Sequence, residues 1–353
     1  MSTLNSSTSQ IIYAQSKPLA QAIVEIQYGL QPGTWQTFGT NGNQKSIRDA
    51  AYHLAYLSEA IGNDAPALFA DYVAWVKALF AGLKFPDDTV EKTLQATRSV
   101  MHEQLAPDMA ALVEQYLDVG LTRLAEAPSM PPLFLSENLP LGGLAKEYLD
   151  ALVQGNRQTA SLLIMTAVAR GTAVKDIYLH VFQRTQYEIG RLWQINQISV
   201  AQEHFCSAAT QLIMSQLYPQ IFRTERAHRS MVATCVGSEL HEIGVRMVAD
   251  FFEMAGWDTY YLGANTPSRD IIRALEERHA QVLGISATLT FHVREVAELI
   301  TQVRASAAGR QVKILVGGYP FKVSEDLWKS VKADGYGRDA QHAVSVANEL
   351  IGL

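Results

Sequence analysis

His241 is the residue of this 353-residue chain whose surroundings best suit a metal ligand. A neutral imidazole binds transition metals well, and its second nitrogen needs an acceptor that fixes the tautomer. Glu239, two positions earlier, supplies that acceptor, and Gly244, three positions later, removes a side chain where a helix has to approach something bulky. Ser286-Ala-Thr288 and Gly317-Gly318 add small and polar positions, and each set follows a short apolar run. Such positions at successive strand ends can line a deep slot for an elongated polar ligand tail. Upstream, Trp193 is followed after nine residues by Glu203-His204. A helical hairpin can bring that aromatic, carboxylate and imidazole over one point. Taken singly, each feature has a plainer reading: His241 as a capping or surface histidine, Gly317-Gly318 as a strand-to-helix turn, Trp193 as bundle core, Glu203-His204 as a solvated helix face. The combination at matching strand ends favours a ligand site.

These residues need elements that hold them. From Arg229 onward, short apolar runs at Met231 to Val236, Thr259 to Leu262, Val282 to Ser286 and Val312 to Val316, with a weaker one near Asp334-Gly335-Tyr336, alternate with helical stretches. That alternation builds an open parallel sheet covered on both faces, with ligands at the carboxyl ends of the strands. The pattern predicts a flavodoxin-like five-stranded α/β domain over 229–353. Residues 143–220 read as four antiparallel helices: Leu144 to Gln154, one through Ala160 to Ala169, Val174 to Trp193, and Ser199 to Leu217. Pro128, Pro131, Pro132, Pro140 and Gly142-Gly143 mark 127–142 as a linker. Before it, 1–126 forms an all-α domain. A mobile-looking start and an aromatic segment with Tyr28, Trp35 and Phe38 precede about four helices over 44–126, for which Pro107 suits a first turn and Asp87 or Asp88 a cap.

Composition narrows the class. Hydrophobic residues make up 48% and charged residues 18% of the chain, which suits a globular protein rather than a disordered or fibrous one. A net charge of −6, with no dense Lys/Arg run, argues against a nucleic-acid surface. Cys206 and Cys235 fall in a helix and a strand and suggest no disulfide framework. The N-terminus has no basic region followed by an apolar core, and no apolar run is long enough to span a bilayer. The expected setting is soluble and cytoplasmic, without a membrane partner.

Glu239-Leu-His241-Glu-Ile-Gly244, Ser286-Ala-Thr288 and Gly317-Gly318 together resemble the pattern of cobalamin-binding domains. That resemblance implies His241 as lower axial cobalt ligand, Glu239 as its orienting group, and Ser286, Thr288, Gly317 and Gly318 around the displaced nucleotide tail. Methyl carriers of the methionine synthase type usually have Asp at the position of Glu239; Glu occurs in light-sensing relatives. The Trp193, Glu203, His204 set is similar to cobalamin-binding photoreceptors of the CarH type, in which the Trp packs over the upper ligand and the Glu-His pair contacts the adenosyl group. The resemblance covers residues 143–353. One departure stands out: the repressor relatives carry His directly after the Trp, whereas this chain has Gln194, so a bis-histidine photoproduct from that position is excluded. His180 and His204, both in the cap, are the candidate substitutes, with water or reversible recombination equally open.

The expected function is accordingly an adenosylcobalamin light sensor, whose cap, domain or oligomer arrangement changes when light breaks the cobalt-carbon bond. The repressors' basic winged helix is missing: the N-terminal helices carry Asp49, Glu59, Asp71, Glu91, Glu103 and Glu114 among few bases, so output would pass through a homo-oligomer or a downstream protein partner. His53, His102, Trp35, Trp75, Tyr52, Tyr56 and Tyr72 read as an aromatic core, or as help for a second, noncovalent chromophore such as the biliverdin of photocobilins. The alternative from another class is a corrinoid methyl carrier serving methyltransferases, which needs His241 and Gly244 but not the Trp193, Glu203, His204 set. An adenosylcobalamin mutase subunit is a third reading, weakened because the chain holds no substrate-binding barrel.

Overall fold

The computed structural model describes residues 2–35, 39–222 and 225–352; Phe38 and the side chain of Trp35 lie outside the described residues. The chain divides into two compact units. One comprises Met1–Met130, Leu289–Arg294 and Tyr319–Val331, the other Pro131–Thr288, Glu295–Gly318 and Lys332–Leu353.

The first unit is helical, with long helices at Thr3–Ala14, Ser16–Leu30, Gly39–Gly62, Pro66–Gly82, Thr89–Gln104 and Pro107–Glu126. Pro66 and Pro107 occupy first turns, where the missing N–H has no helical acceptor to lose. Asp88 sits at a helix start without capping it; its carboxylate accepts from Gln31 at 2.7 Å and pairs with Lys92 at 2.6 Å. The start of the chain is not the mobile segment that its composition suggests. Ser2 caps the first helix by accepting the Asn5 amide, and that helix buries Asn5, Thr8, Ser9 and Ile12. Three of those four are polar, so the buried face carries no apolar period to read. The aromatic block stacks on itself: Tyr56 on Tyr72 at 3.7 Å, with the Tyr72 hydroxyl 2.6 Å from His53 Nδ1. The cavity beside it, lined by His53, Phe69 and Tyr72, measures about 10 Å³, the scale of a single water.

In the second unit, β1 (Ser230–Cys235), β2 (Asp258–Gly263), β3 (Val282–Ser286), β4 (Lys313–Gly317) and β5 (Gly335–Gly337) form one parallel sheet in the order β2-β1-β3-β4-β5. This is the flavodoxin-like order, in which the chain reverses direction across the sheet after β2 and opens a crevice between β1 and β3. Register aligns the strand ends in one row: Cys235 opposite Ser286, Ser286 opposite Gly317, Gly317 opposite Gly337. The loops carrying His241, Thr288 and Gly318 therefore leave the sheet side by side.

The helical part of the same unit comprises Gly142–Val153, Arg157–Ala169, a helix from Val174 to Gln194, and Val200–Gln216. Ser199 and Gln202 form a reciprocal capping box at the last of these, which sets where Glu203 and His204 fall on its first turns. The long third helix contains a π-helical stretch at Ile177–Phe182 that its periodicity does not announce. Fully buried Tyr148, Tyr178, Phe182 and Ile213 form its core, which continues onto Met247 and Phe251 of the helix Ile243–Met254. Each of these side chains contributes roughly 1.5–3 kcal/mol of burial, so the cap and the helix after the His241 loop share one apolar core.

Candidate functional site

The loop after β1 is built around a buried carboxylate. Glu239 is fully buried, and its Oε1 lies 2.6 Å from His241 Nδ1 and accepts the His241 amide at 3.0 Å. Its Oε2 accepts the Thr288 amide at 2.7 Å. With both oxygens held, the carboxylate fixes the imidazole with Nδ1 inward. The His241 side chain is 56% exposed, and Nε2 makes no hydrogen bond among the described residues. Its pKa is raised, first by the hydrogen bond to Glu239, against burial, with the charges of Glu239 and Glu203 adding to the rise. Glu203 of the cap therefore lies within electrostatic reach of His241.

The loop backbone is itself clamped. Ser238, at φ 62°, donates its amide to Asn265 Oδ1 at 2.9 Å and its hydroxyl to Glu295 Oε1 at 2.9 Å, while the Asn265 amide returns to the Glu239 carbonyl. Between Glu239 and His241, Leu240 stands 72% exposed. An apolar side chain on an otherwise fixed polar loop suits a covering flat ligand.

The other residues singled out from the sequence occupy several kinds of place. Gly244, the second residue of its helix, faces open space: an added Cβ would meet no protein atom within 4 Å. Ser286 and Gly317 end β3 and β4, half-buried, and Thr288 contributes its amide rather than its hydroxyl to Glu239. Gly318 is required by the chain itself, since at φ 105° its Cβ would lie 1.9 Å from the Ala287 carbonyl oxygen. Trp193 is half-buried against the cap core, and buried Gln194 closes its helix. His204 is mostly exposed and pairs with Glu203 at 2.5 Å, which also accepts from Ser207 at 2.9 Å. His180, in the π-helical stretch, has a buried Nδ1 without a hydrogen-bond partner among the described residues.

Sequence reasoning misses the stripe that joins cap and sheet. Glu242, Arg246 and Asp250 recur every four residues along one helix face, and each reaches the cap or the sheet rim. Glu242 accepts from Gln211 of the cap at 3.1 Å, and from Tyr261 and the Ala264 amide at the end of β2. Arg246 donates to Gln211, Ser215 and Tyr218, and Asp250 accepts from Tyr178 at 2.7 Å. Charges at that spacing normally read as a solvated face. Here Arg246 and Asp250 are buried, Glu242 is half-buried, and all three are hydrogen-bonded, the condition under which burial of charge is tolerable.

Burial pushes the Asp250 carboxyl up to about 6 against the Tyr178 hydrogen bond and the Arg246 charge, with Glu253 adding to the rise. The folded state thus holds this proton more tightly than the unfolded chain, whose carboxyl keeps the ordinary value of 3.8. The associated stabilisation is fully present below pH 3.8 and is lost as pH rises through about 6. Asp250→Asn, which can still accept from Tyr178, is expected to remove this slope. The difference in unfolding free energy between wild type and variant should change by on the order of 3 kcal/mol across that window; parallel stability curves would exclude Asp250 as its source.

Residues 229–345 match the B12 binding domain family, and residues 144–218 match a second B12 binding domain family. The chain thus carries cobalamin-binding domains. Dimethylamine corrinoid protein 3 of Methanosarcina acetivorans is 31% identical over 117 residues, 33% of this chain and 54% of its own length, so the chain spans about half of that relative. A corrinoid protein of Desulfitobacterium hafniense is 23% identical over 59% of this chain and 98% of its own length. Trimethylamine corrinoid protein 1 of Methanosarcina acetivorans is 25% identical over 57% of this chain and 94% of its own. The structure of the Methanosarcina barkeri monomethylamine corrinoid protein shares the fold, with a TM-score of 0.53 at 21% identity, covering 60% of this chain and 99% of that one.

These relatives overturn the light-sensor expectation. They are corrinoid proteins, three of the four named for methylated amines, and the residues that suggested light sensing are weak discriminators in three dimensions. Trp193 packs into the cap core, and the Glu203-His204 pair satisfies itself on the surface. Among the described residues no helix is long and apolar enough to cross a membrane.

Proposed function

We propose that this chain is a corrinoid methyl carrier that serves methyltransferase partners, with His241 as the protein's cobalt ligand. The observation that carries the reading is the buried Glu239 carboxylate, which holds His241 Nδ1 at 2.6 Å and leaves Nε2 outward at the carboxyl edge of the sheet. One imidazole is a single donor, so the metal it binds must bring its remaining ligands with it, as a corrin does. Bound cobalamin supplies a cobalt that accepts a methyl group and gives it up again. Glu239 orients the imidazole and strengthens it as a ligand by taking the Nδ1 proton's hydrogen bond. The open space at Gly244 would admit the macrocycle, and exposed Leu240 would give it an apolar contact. Ser286, Thr288, Gly317 and Gly318 form the rims of the slot for the nucleotide tail. Trp193, Glu203 and His204 lie in the cap and would help to screen the bound group from water. The names of the relatives favour a methylated amine as the ultimate methyl source.

Protein reconstituted with hydroxocobalamin, reduced and given methyl iodide, is expected to take up one methyl group per bound cobalamin. It should pass that group to a thiol when a corrinoid-dependent methyltransferase is added. Uptake that is never followed by transfer, across methyltransferases of several acceptor classes, would sink the carrier reading.

A further inference from the structure

The helix Ile243–Met254 and the cap belong to the same compact unit, and the contact between them differs in kind from one end to the other. Far from His241 it is core. Phe251 packs 6.1 Å from Tyr178, Asp250 accepts the Tyr178 hydroxyl at 2.7 Å, and both rings are almost fully buried with Met247 beside them. Parting these groups would open apolar surface to water. Beside His241 the contact is polar. Gln211 of the cap helix Val200–Gln216 donates Nε2 to Glu242 Oε1 at 3.1 Å and accepts on Oε1 from Arg246 at 3.3 Å.

That bridge can break without stranding either partner. Glu242 keeps the Tyr261 hydroxyl at 3.0 Å and the Ala264 amide at 3.1 Å on its other oxygen, and Arg246 keeps Ser215 at 2.7 Å and Tyr218 at 3.2 Å. Gln211 and Glu242 are only half-buried, so water can take over the released groups. Ser215 and Tyr218 also hold the C-terminal end of the cap helix to Arg246, whereas Gln211 lies a turn nearer to Glu203 and His204. Glu203 is close enough for its charge to act on His241.

We propose that Gln211 is a latch for the cap helix: while its amide bridges Glu242 and Arg246, the turns carrying Glu203 and His204 stay beside the His241 loop, and its release opens the bound cobalt to incoming molecules. The inference rests on the cobalamin site proposed above. Gln211 is a positioning residue, since it acts through Glu242 and Arg246 and has no hydrogen bond to Glu239 or His241 among the described residues. The buried contact of Tyr178 with Asp250 and Phe251 keeps the cap attached while the latch is open.

Cyanide added to the full chain loaded with hydroxocobalamin tests this, because it replaces the ligand on the face of cobalt away from His241. Stopped-flow absorbance is expected to show uptake about tenfold faster in Gln211→Leu than in wild type, the ratio that two lost hydrogen bonds of modest net strength give. The spectrum before cyanide should match wild type, since Glu239 holds His241 without help from Gln211. A folded Gln211→Leu protein with the wild-type rate overturns the proposal, and so does one whose spectrum has turned base-off before cyanide is added. Gln211→Glu, which sets a like charge against Glu242, should also speed uptake. Combining it with Glu242→Gln exchanges donor and acceptor across the same bridge and should restore the wild-type rate. A double variant as fast as Gln211→Glu overturns the latch even if Gln211→Leu does not fold. Wild-type protein that fails to bind hydroxocobalamin at all removes the site itself, an outcome separate from these.

Discussion

Replacing His241 by alanine is expected to convert bound cobalamin to a base-off absorption spectrum while leaving the protein folded. The ring is more than half exposed, and its single hydrogen bond among the described residues is to Glu239, so little packing is lost. The stranded partner limits the damage: Glu239 keeps the residue-241 amide at 3.0 Å and the Thr288 amide at 2.7 Å, which leaves one bond unmade at a cost of about 1–3 kcal/mol. Cofactor affinity should fall by on the order of 100-fold, the upper end of what disturbed metal-site partners cost. Absorbance and equilibrium dialysis on the same sample separate the two effects. A variant whose spectrum matches the wild type would remove His241 as the cobalt ligand, and one that fails to fold would show that Glu239 depends on the imidazole more than its amide partners indicate.

Gly318→Ala is expected to destabilise the fold by about 3 kcal/mol and to weaken cobalamin binding with it. Two costs coincide there. The residue sits at φ 105°, where a side chain is strained, and its Cβ would lie 1.9 Å from the Ala287 carbonyl oxygen, which belongs to backbone and cannot rotate away. The Ala287 amide is in turn tied to the Gly317 carbonyl at 3.1 Å, so relief requires the β3 and β4 rims to part. Denaturant titration of the free protein measures the stability term, and dialysis against hydroxocobalamin measures the rim term. Gly317→Ala is the comparison, because its Cβ would meet only the Gly337 carbonyl oxygen at 3.1 Å. Equal stabilities for the two variants would show that the contact at Gly318 is easily relieved.

Much of the sheet unit was legible because its signals are local. Short apolar runs between helical stretches mark five strands, and the residues after β1, β3 and β4 carry the small and polar types that a ligand rim needs. The first helix was not legible, because Asn5, Thr8 and Ser9 fill a buried face without apolar character. The polar stripe of Glu242, Arg246 and Asp250 was misleading for the opposite reason: charges four apart look solvated until their cap partners are known. The light-sensing reading failed on Trp193, Glu203 and His204 in the same way, since a pattern of types at helical spacing does not say whether the side chains serve a ligand or one another.

The sequence by itself determined the parallel sheet, the cap and the Glu239–His241 pair, because strand period, turn residues and a two-residue offset act over short stretches of chain. Only the tertiary structure decided that Glu239 also holds Thr288, 49 positions away in sequence, and that residues 289–294 and 319–331 pack in the helical unit. Those are contacts between residues far apart along the chain. Burial and the demand of a buried carboxylate for partners select them, and neither is written in local spacing.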